Sequence, residues 1–173
     1  MSFLKHLGFF NLVRVLIFLG GVFVLNNCVS VKLASTNQQR STTSEFIPPR
    51  SPYKEIQSPY LDRTWKNPNN NTTISYLSDC NNPTDPTLNN ILRGLANAIE
   101  DVHILDSHKS PYNDRESLRA HLVGRVDGVR TQLKVLIFKK NYCTYILNYA
   151  AREDQFAQGE KDFDFFVENF KVP

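Results

Sequence analysis

Thiols are the residues with the most chemistry on offer in this 173-residue sequence, and there are three: Cys28, Cys80 and Cys143. A thiol can be acylated, can bond to a second thiol, or can bind metal as thiolate. No CxxC pair and no Cys/His spacing of a zinc site occurs, so these three lend no support to a structural metal. Cys28 stands at the end of an apolar leader, in Val24-Leu25-Asn26-Asn27-Cys28, where acylation would tie the chain to a membrane. With Cys28 so consumed, Cys80 and Cys143 make an even pair in an exported domain. They are expected to close a disulfide; the competing state is two buried free thiols packed as small apolar groups.

Two further sets have functional residue types. His103, Asp106, His108 and Asp114 could ligate a metal, but the five-residue spacing of the histidines matches no standard site, and a solvated loop without metal is expected. Arg119, Arg125, Arg130, Lys134, Lys139 and Lys140, with His121 among them, could line one outer sheet face and meet an anionic partner. The alternative is a solvated face whose charges discourage edge pairing. No GxSxG, P-loop or GxGxxG occurs, and Ser107, His108 and Ser117 have no identifiable partners. No catalytic residue and no cofactor is therefore assigned, and an enzyme is the minority reading.

The elements that must position these residues begin with the leader. Lys5 and Arg14 are its Lys/Arg residues, and Val15 to Leu25 is an uninterrupted uncharged run. About eleven residues is the length of a signal h-region and short of the ~20 that a spanning helix needs. Residues 1–27 therefore read as a signal peptide. An uncleaved anchor extended back to Phe9 would place Arg14 in the bilayer at a cost of a few kcal/mol. All seventeen acidic residues follow Cys28, which leaves the remainder at +1, from 18 basic and 17 acidic groups. That near-neutral balance lacks the basic footprint of nucleic-acid binding.

Residues 28–60 are rich in Ser, Thr, Asn, Gln and Pro and read as a flexible tether. Phe46, Ile47, Tyr53, Ile56, Tyr60 and Leu61 are apolar exceptions, some of them available to dock on the domain. Residues 61–173 read as one α+β domain: a strand over 72–79, a helix over 86–103, a meander over 116–151 and a helix over 160–170. Asp85 and Pro86 suit a helix start, and Leu88, Ile91, Leu92, Leu95, Ala98, Ile99 and Val102 share one helical face. In the meander Leu118, Ala120, Leu122, Gly124 and Val126 alternate with Arg119, His121, Val123 and Arg125. Asp127-Gly128 makes a hairpin turn, and Val129, Thr131, Leu133, Val135 and Ile137 line one face of the next strand. Phe163, Phe166, Val167 and Phe170 recur at helical spacing and should pack against the sheet.

The leader's end resembles the lipobox of bacterial lipoproteins, with Leu25 three residues before Cys28; it departs from that pattern at Asn26 and at Asn27, where Gly, Ala or Ser is usual. The resemblance implies a diacylglyceryl group on the Cys28 thiol, cleavage just before it, and acylation of the new amino terminus. Val29 after the cysteine implies, by the same likeness, sorting to the outer membrane. The order of Cys80 strand, long helix, Gly124-Arg125-Val126-Asp127-Gly128 hairpin, Tyr142-Cys143-Thr144-Tyr145 strand and Asp162-to-Phe170 helix resembles small lipoproteins of predatory and soil-dwelling proteobacteria. More remotely it resembles the fold of PsbP-type photosystem proteins and the Ran-binding Mog family. The resemblance covers about residues 65–172 and implies a non-catalytic binding or assembly module at the cell envelope. Its partners would be the membrane, through lipid on Cys28, and an envelope protein. A structural envelope protein without a discrete ligand is the alternative.

Overall fold

Strand residues in the middle of this protein are apolar on both sides, because a helix covers each face of a single sheet. The structure, a computed structural model, describes residues 39–173. The leader, Cys28 and the first part of the expected tether lie outside the described residues. The elements in chain order are β1 (Lys54–Ile56), β2 (Arg63–Lys66), β3 (Thr73–Cys80), α1 (Leu88–Ala96), β4 (Glu100–Tyr112), β5 (Arg115–Val126), β6 (Val129–Lys140), β7 (Cys143–Arg152), and α2 (Phe156–Glu168). The seven strands form one antiparallel sheet in the order β1-β2-β3-β7-β6-β5-β4. The architecture is α+β, as the sequence pattern implies.

On one face Leu118, Ala120, Leu122, Val135, Ile137 and Ile146 are buried against Leu92 and Ala96 of α1. On the other, Ile74, Tyr76, Leu136, Phe138, Tyr145, Leu147 and Tyr149 are buried with Phe163, Phe166 and Phe170. The β5–β6 register pairs Leu118 with Ile137, Ala120 with Val135 and Leu122 with Leu133, so the expected alternation of the meander holds residue for residue. Three successive hairpins turn through paired positive-φ residues: Asn113 and Asp114, Asp127 and Gly128, Asn141 and Tyr142. Such turns match the twist of the strands they join.

The expected helix over 86–103 is shorter. Its cap is Thr87, whose side chain accepts from the Asn90 N–H at 3.2 Å, in place of Asp85, and it ends at Ala96. From Glu100 the chain runs as β4, where a solvated loop was expected across Asp106 to Asp114. Ile99 and Val102 keep their expected apolar role by packing against the same cluster, although only as the chain crosses back over the sheet. Gly124 makes that crossing fit: a Cβ there would stand 2.4 Å from Ile99 Cγ2 and 2.7 Å from the Glu100 carbonyl oxygen. The expected helix over 160–170 begins earlier, at Phe156, and ends at Glu168; Phe170 is buried beyond its end.

The stretch expected to run as tether to residue 60 is held from Gln39 onward. Gln39 pairs with Cys80 and Glu45 with Lys171 as isolated bridges. Phe46 packs among Trp65, Tyr76, Phe166 and Phe170, and buried Tyr53 shares a 2.8 Å hydrogen bond with Thr72. Ile47, Ile56 and Tyr60 remain exposed. A polar latch pins the start of this strap. Arg40 donates to the Ser78 and Tyr60 carbonyls and lies 3.2 Å from the Asp62 carboxylate, which accepts from Ser78 N–H and Oγ–H. Burial raises the Asp62 carboxyl above its ordinary pKa, against the lowering by Ser78 and Arg40. The folded state therefore favours the protonated form. The stability Asp62 contributes is present below the ordinary carboxylate pKa and is lost as pH rises through the raised value. Across that acid window, wild type should lose stability relative to Asp62→Asn as pH rises, read as the difference between their unfolding free energies in urea.

Gly159 sets the approach of α2. A Cβ there would meet the hydroxyls of Tyr53 and Tyr149 at 2.5 and 2.7 Å, and Tyr149 donates to the Phe156 carbonyl at 2.7 Å. Gly159→Ala is expected to destabilise the domain by about 1–3 kcal/mol through overpacking. Gly94→Ala, at an exposed position of α1 where nothing lies within 4 Å of the added Cβ, should stabilise it by up to ~1 kcal/mol. Urea midpoints of the two variants should move in opposite directions.

Candidate functional site

At the end of the sheet where β3 stops and β6 turns into β7, a cleft of about 550 Å³ opens beside the Cys80–Cys143 disulfide. Its lining includes Asp79, Asn82, Asp85, Arg115, Lys140 and Tyr142. The β-register explains why these residues meet. Tyr112 is paired with Arg115, Lys140 with Cys143, and Cys143 with Cys80. The β5–β6 ladder ends at Ser117 and Phe138, and just beyond it Arg115 and Lys140 both line the cleft. One row of side chains thus crosses the sheet end from Tyr112 to the disulfide.

Tyr112 anchors this row. The hydroxyl of this half-buried side chain donates to the carbonyls of Val167 and Phe170, at 2.6 and 2.9 Å, and its partial burial pushes its pKa far up, so it stays a neutral donor. It thereby adds a donor to carbonyls at and just beyond the end of α2 and ties the β4–β5 hairpin to that helix. The β6–β7 turn forms the opposite wall. Asn141 suits its φ of 52°, but Tyr142 follows at 61° with 92% of its surface exposed. A bulky residue at positive φ costs on the order of 1–3 kcal/mol, and a side chain this exposed recovers little of that by packing within the chain.

The charges of the cleft are unevenly matched. Lys139 is ion-paired with Asp85, and Asp79 accepts from Asn82 at 2.6 Å. The Lys140 side chain is only 14% exposed, and its nearest carboxylate is Asp114 at 3.8 Å, on a side chain that is 98% exposed. Among the described residues Arg115 has no carboxylate within ion-pair distance. The cleft thus gathers ammonium, guanidinium and amide groups around an exposed ring. No nucleophile–base pair is present among the lining residues.

The residues singled out in the sequence are distributed as follows. Cys80 and Cys143 are bonded, directly opposite each other on β3 and β7. Cys28 lies outside the described residues. Of the six basic residues, Arg125 is paired with Asp101 at 3.6 Å, Arg130 with Glu153 at 2.8 Å, and Lys134 with Glu160 at 2.5 Å. With Lys139 and Lys140, five of the six have a carboxylate partner, so most of this positive charge is answered locally. Arg119 instead donates to Ser110 Oγ at 3.3 Å and stands 5.8 Å from the Tyr112 ring centroid. Strand alternation puts Arg119, Arg125, Arg130, Lys134 and Lys140 on the α2 side and Lys139 on the other. His103, Asp106 and His108 lie along edge strand β4, with His108 Nδ1 2.8 Å from Asp106, while Asp114 sits in the following turn. Among the described residues no group of three or more such side chains could hold a metal ion.

Arg115 and Tyr142 went unnoticed in the sequence. The signal for Arg115 was Asn113-Asp114, two residues that tolerate positive φ but lack the glycine of Asp127-Gly128 and sit in a polar stretch. Tyr142 lay within what reads as a strand.

An antiparallel sheet covered by a helix on each face defines the class of fold. No family profile and no curated protein sequence matches the chain. Among solved structures it is similar to LpqN, involved in cell envelope biogenesis of Mycobacterium tuberculosis. The identity is 13% and the TM-score 0.57, over 80% of this chain and 88% of that one. It is also similar to the solution structure of the cyanobacterial PsbP (CyanoP) from Synechocystis sp. PCC 6803. There the identity is 14% and the TM-score 0.54, over 86% and 99% of the two chains. At these identities the likeness is one of fold, and it includes the expected PsbP-like fold.

The disulfide spans 63 residues of sequence, for which the chain-entropy account gives about 4 kcal/mol of stabilisation. The Cys80→Ser/Cys143→Ser variant should unfold at correspondingly lower urea, and the folded, unreduced domain should yield no titratable thiol from this pair.

Proposed function

We propose that this protein is an envelope lipoprotein, held at the outer membrane by acyl chains on Cys28, that presents residues 39–173 as a non-catalytic binding or assembly domain. The observation that carries the reading is the bonded Cys80–Cys143 pair, since disulfides persist in exported domains and are rare in reducing compartments. The uncharged run from Val15 to Leu25 supports export, and Leu25 before Cys28 supports acylation. The likeness of fold to a protein involved in cell envelope biogenesis agrees with this placement. Among the described residues no helix is long and apolar enough to cross a membrane. The partners are the membrane, through the lipid, and an envelope component met at the exposed end of the sheet.

A structural envelope protein acting without a ligand is the second reading. The strained, exposed Tyr142 beside underpaired cations favours a binder over it.

Growth of a bacterial host expressing the full chain with an alkyne-bearing fatty acid tests the anchor. Label should appear on the wild-type protein, in the membrane fraction, and vanish in Cys28→Ser. An unlabelled wild-type protein released to the soluble periplasm would refute the lipoprotein reading.

A further inference from the structure

We infer that the Arg115–Lys140 corner of the cleft recognises the phosphate or carboxylate group of an acidic saccharide. The inference rests on the reading of this domain as a binding module and names what it binds. Its first ground is electrostatic. Arg115 and Lys140 both line the cleft, from the adjacent ends of β5 and β6, and like charges that share a cleft repel. The Lys140 side chain is only 14% exposed, so its stem is packed and its ammonium is held at the cleft. Asp114 compensates weakly, because its carboxylate is 3.8 Å away and almost fully exposed. The acidic residues that also line the cleft are occupied: Asp85 by Lys139 and Asp79 by Asn82. An oxyanion seated between the two cations would relieve their repulsion and accept charge-assisted hydrogen bonds from both.

The rim indicates what carries the oxyanion. Asn81 and Asn141 donate their amide N–H groups to Gln39 Oε1 and to the Pro173 carbonyl, each at 2.7 Å. Their side-chain carbonyl oxygens, with no protein donor among the described residues, remain as acceptors, which suit a ligand rich in hydroxyl donors. Tyr142, 92% exposed on the wall of the same cleft, offers an aromatic face of the kind that stacks on the C–H face of a sugar ring. Inorganic phosphate would use the cations alone and leave ring and amides idle. The cleft is lined from β3, β5, β6 and β7, none of them an edge strand, so a peptide could not add there as a strand.

The test is calorimetric and NMR titration of the full chain in detergent-free zwitterionic nanodiscs with glucose 6-phosphate, oligogalacturonate, inorganic phosphate, neutral maltooligosaccharide and phosphatidylglycerol vesicles. The expected result is binding of at least one acidic saccharide, weakened by salt and tighter than that of inorganic phosphate or the neutral sugar. Arg115→Gln and Lys140→Gln should each weaken it about tenfold or more, the worth of a hydrogen bond to a charged group. Tyr142→Ala should weaken the saccharides and leave inorganic phosphate unchanged. Circular dichroism and an intact disulfide establish that each variant is folded.

No binding by either acidic saccharide, or binding indifferent to both cation substitutions, would overturn the inference. Equal affinity for inorganic phosphate with no effect of Tyr142→Ala would also overturn it, as would binding to the vesicles alone. The titration does not depend on Cys28, so its failure and a failure of fatty-acid labelling are separately visible.

Discussion

Aromatic packing between α2 and the sheet is the interaction on which the remaining architecture depends. Phe166 and Phe170 are almost wholly buried among Trp65, Tyr76 and Tyr145, with the ring pairs largely edge-on or tilted, as the aromatic quadrupole favours. The polar ends of the tyrosines are satisfied within the same layer: Tyr149 by the Phe156 carbonyl and Tyr145 by Ser41 Oγ. Phe46 fills the remaining gap from the amino-terminal strap. Once α2 is seated, its end presents the carbonyls that Tyr112 grasps, and the β4–β5 hairpin is held against it. Arg115, the register partner of Tyr112, thereby owes its position at the cleft to the aromatic layer of α2.

The two margins of the sheet handle exposure differently. β4 is a thirteen-residue edge strand, long enough to template pairing with another chain. It is blunted by register shifts between Glu100 and His103 and between Ile104 and Asp106, by Pro111, and by charged side chains along its length. Ile104 and Leu105 stay exposed at the second irregularity, where the backbone cannot offer a regular ladder. At the other margin β1 is only three residues long. The strap and the polar latch at Asp62 lie on that side, so the segment that would lead back to Cys28 is tied to the domain before it leaves it.

Stability and recognition pull apart at the sheet end. The hairpins turning at Asn113-Asp114 and Asp127-Gly128 use residues that tolerate positive φ, whereas the third places a tyrosine there. Adjacent cations and a strained aromatic are unfavourable for folding alone, and the disulfide crosses the sheet beside them. A covalent link that limits the unfolded ensemble offsets such local costs without filling the cleft with side chains.

Much of the fold was legible in the residues because period-two alternation and turn chemistry are local. Leu118 to Val126, Asp127-Gly128 and Val129 to Ile137 specify their hairpin and its buried face without help from the rest of the chain. The spacing of Phe163, Phe166 and Phe170 likewise declares a helix surface in need of a partner. The extent of α1 was not legible. Ile99 and Val102 at helical spacing are also what a chain leaving a helix over the same apolar surface requires, and only the space at Gly124 decides between them. Nor could the strap be told from a tether, since its burial rests on Phe46 and Tyr53 meeting residues far along the chain. The cleft is wholly tertiary: Arg115 and Lys140 stand twenty-five residues apart in the sequence. By itself the sequence determined which segments carry apolar faces and where hairpins turn, because those preferences act over a few residues. Tertiary structure decided which faces meet, how far the strap docks and which charges are left underpaired, because each depends on strand register and on burial shared between distant segments.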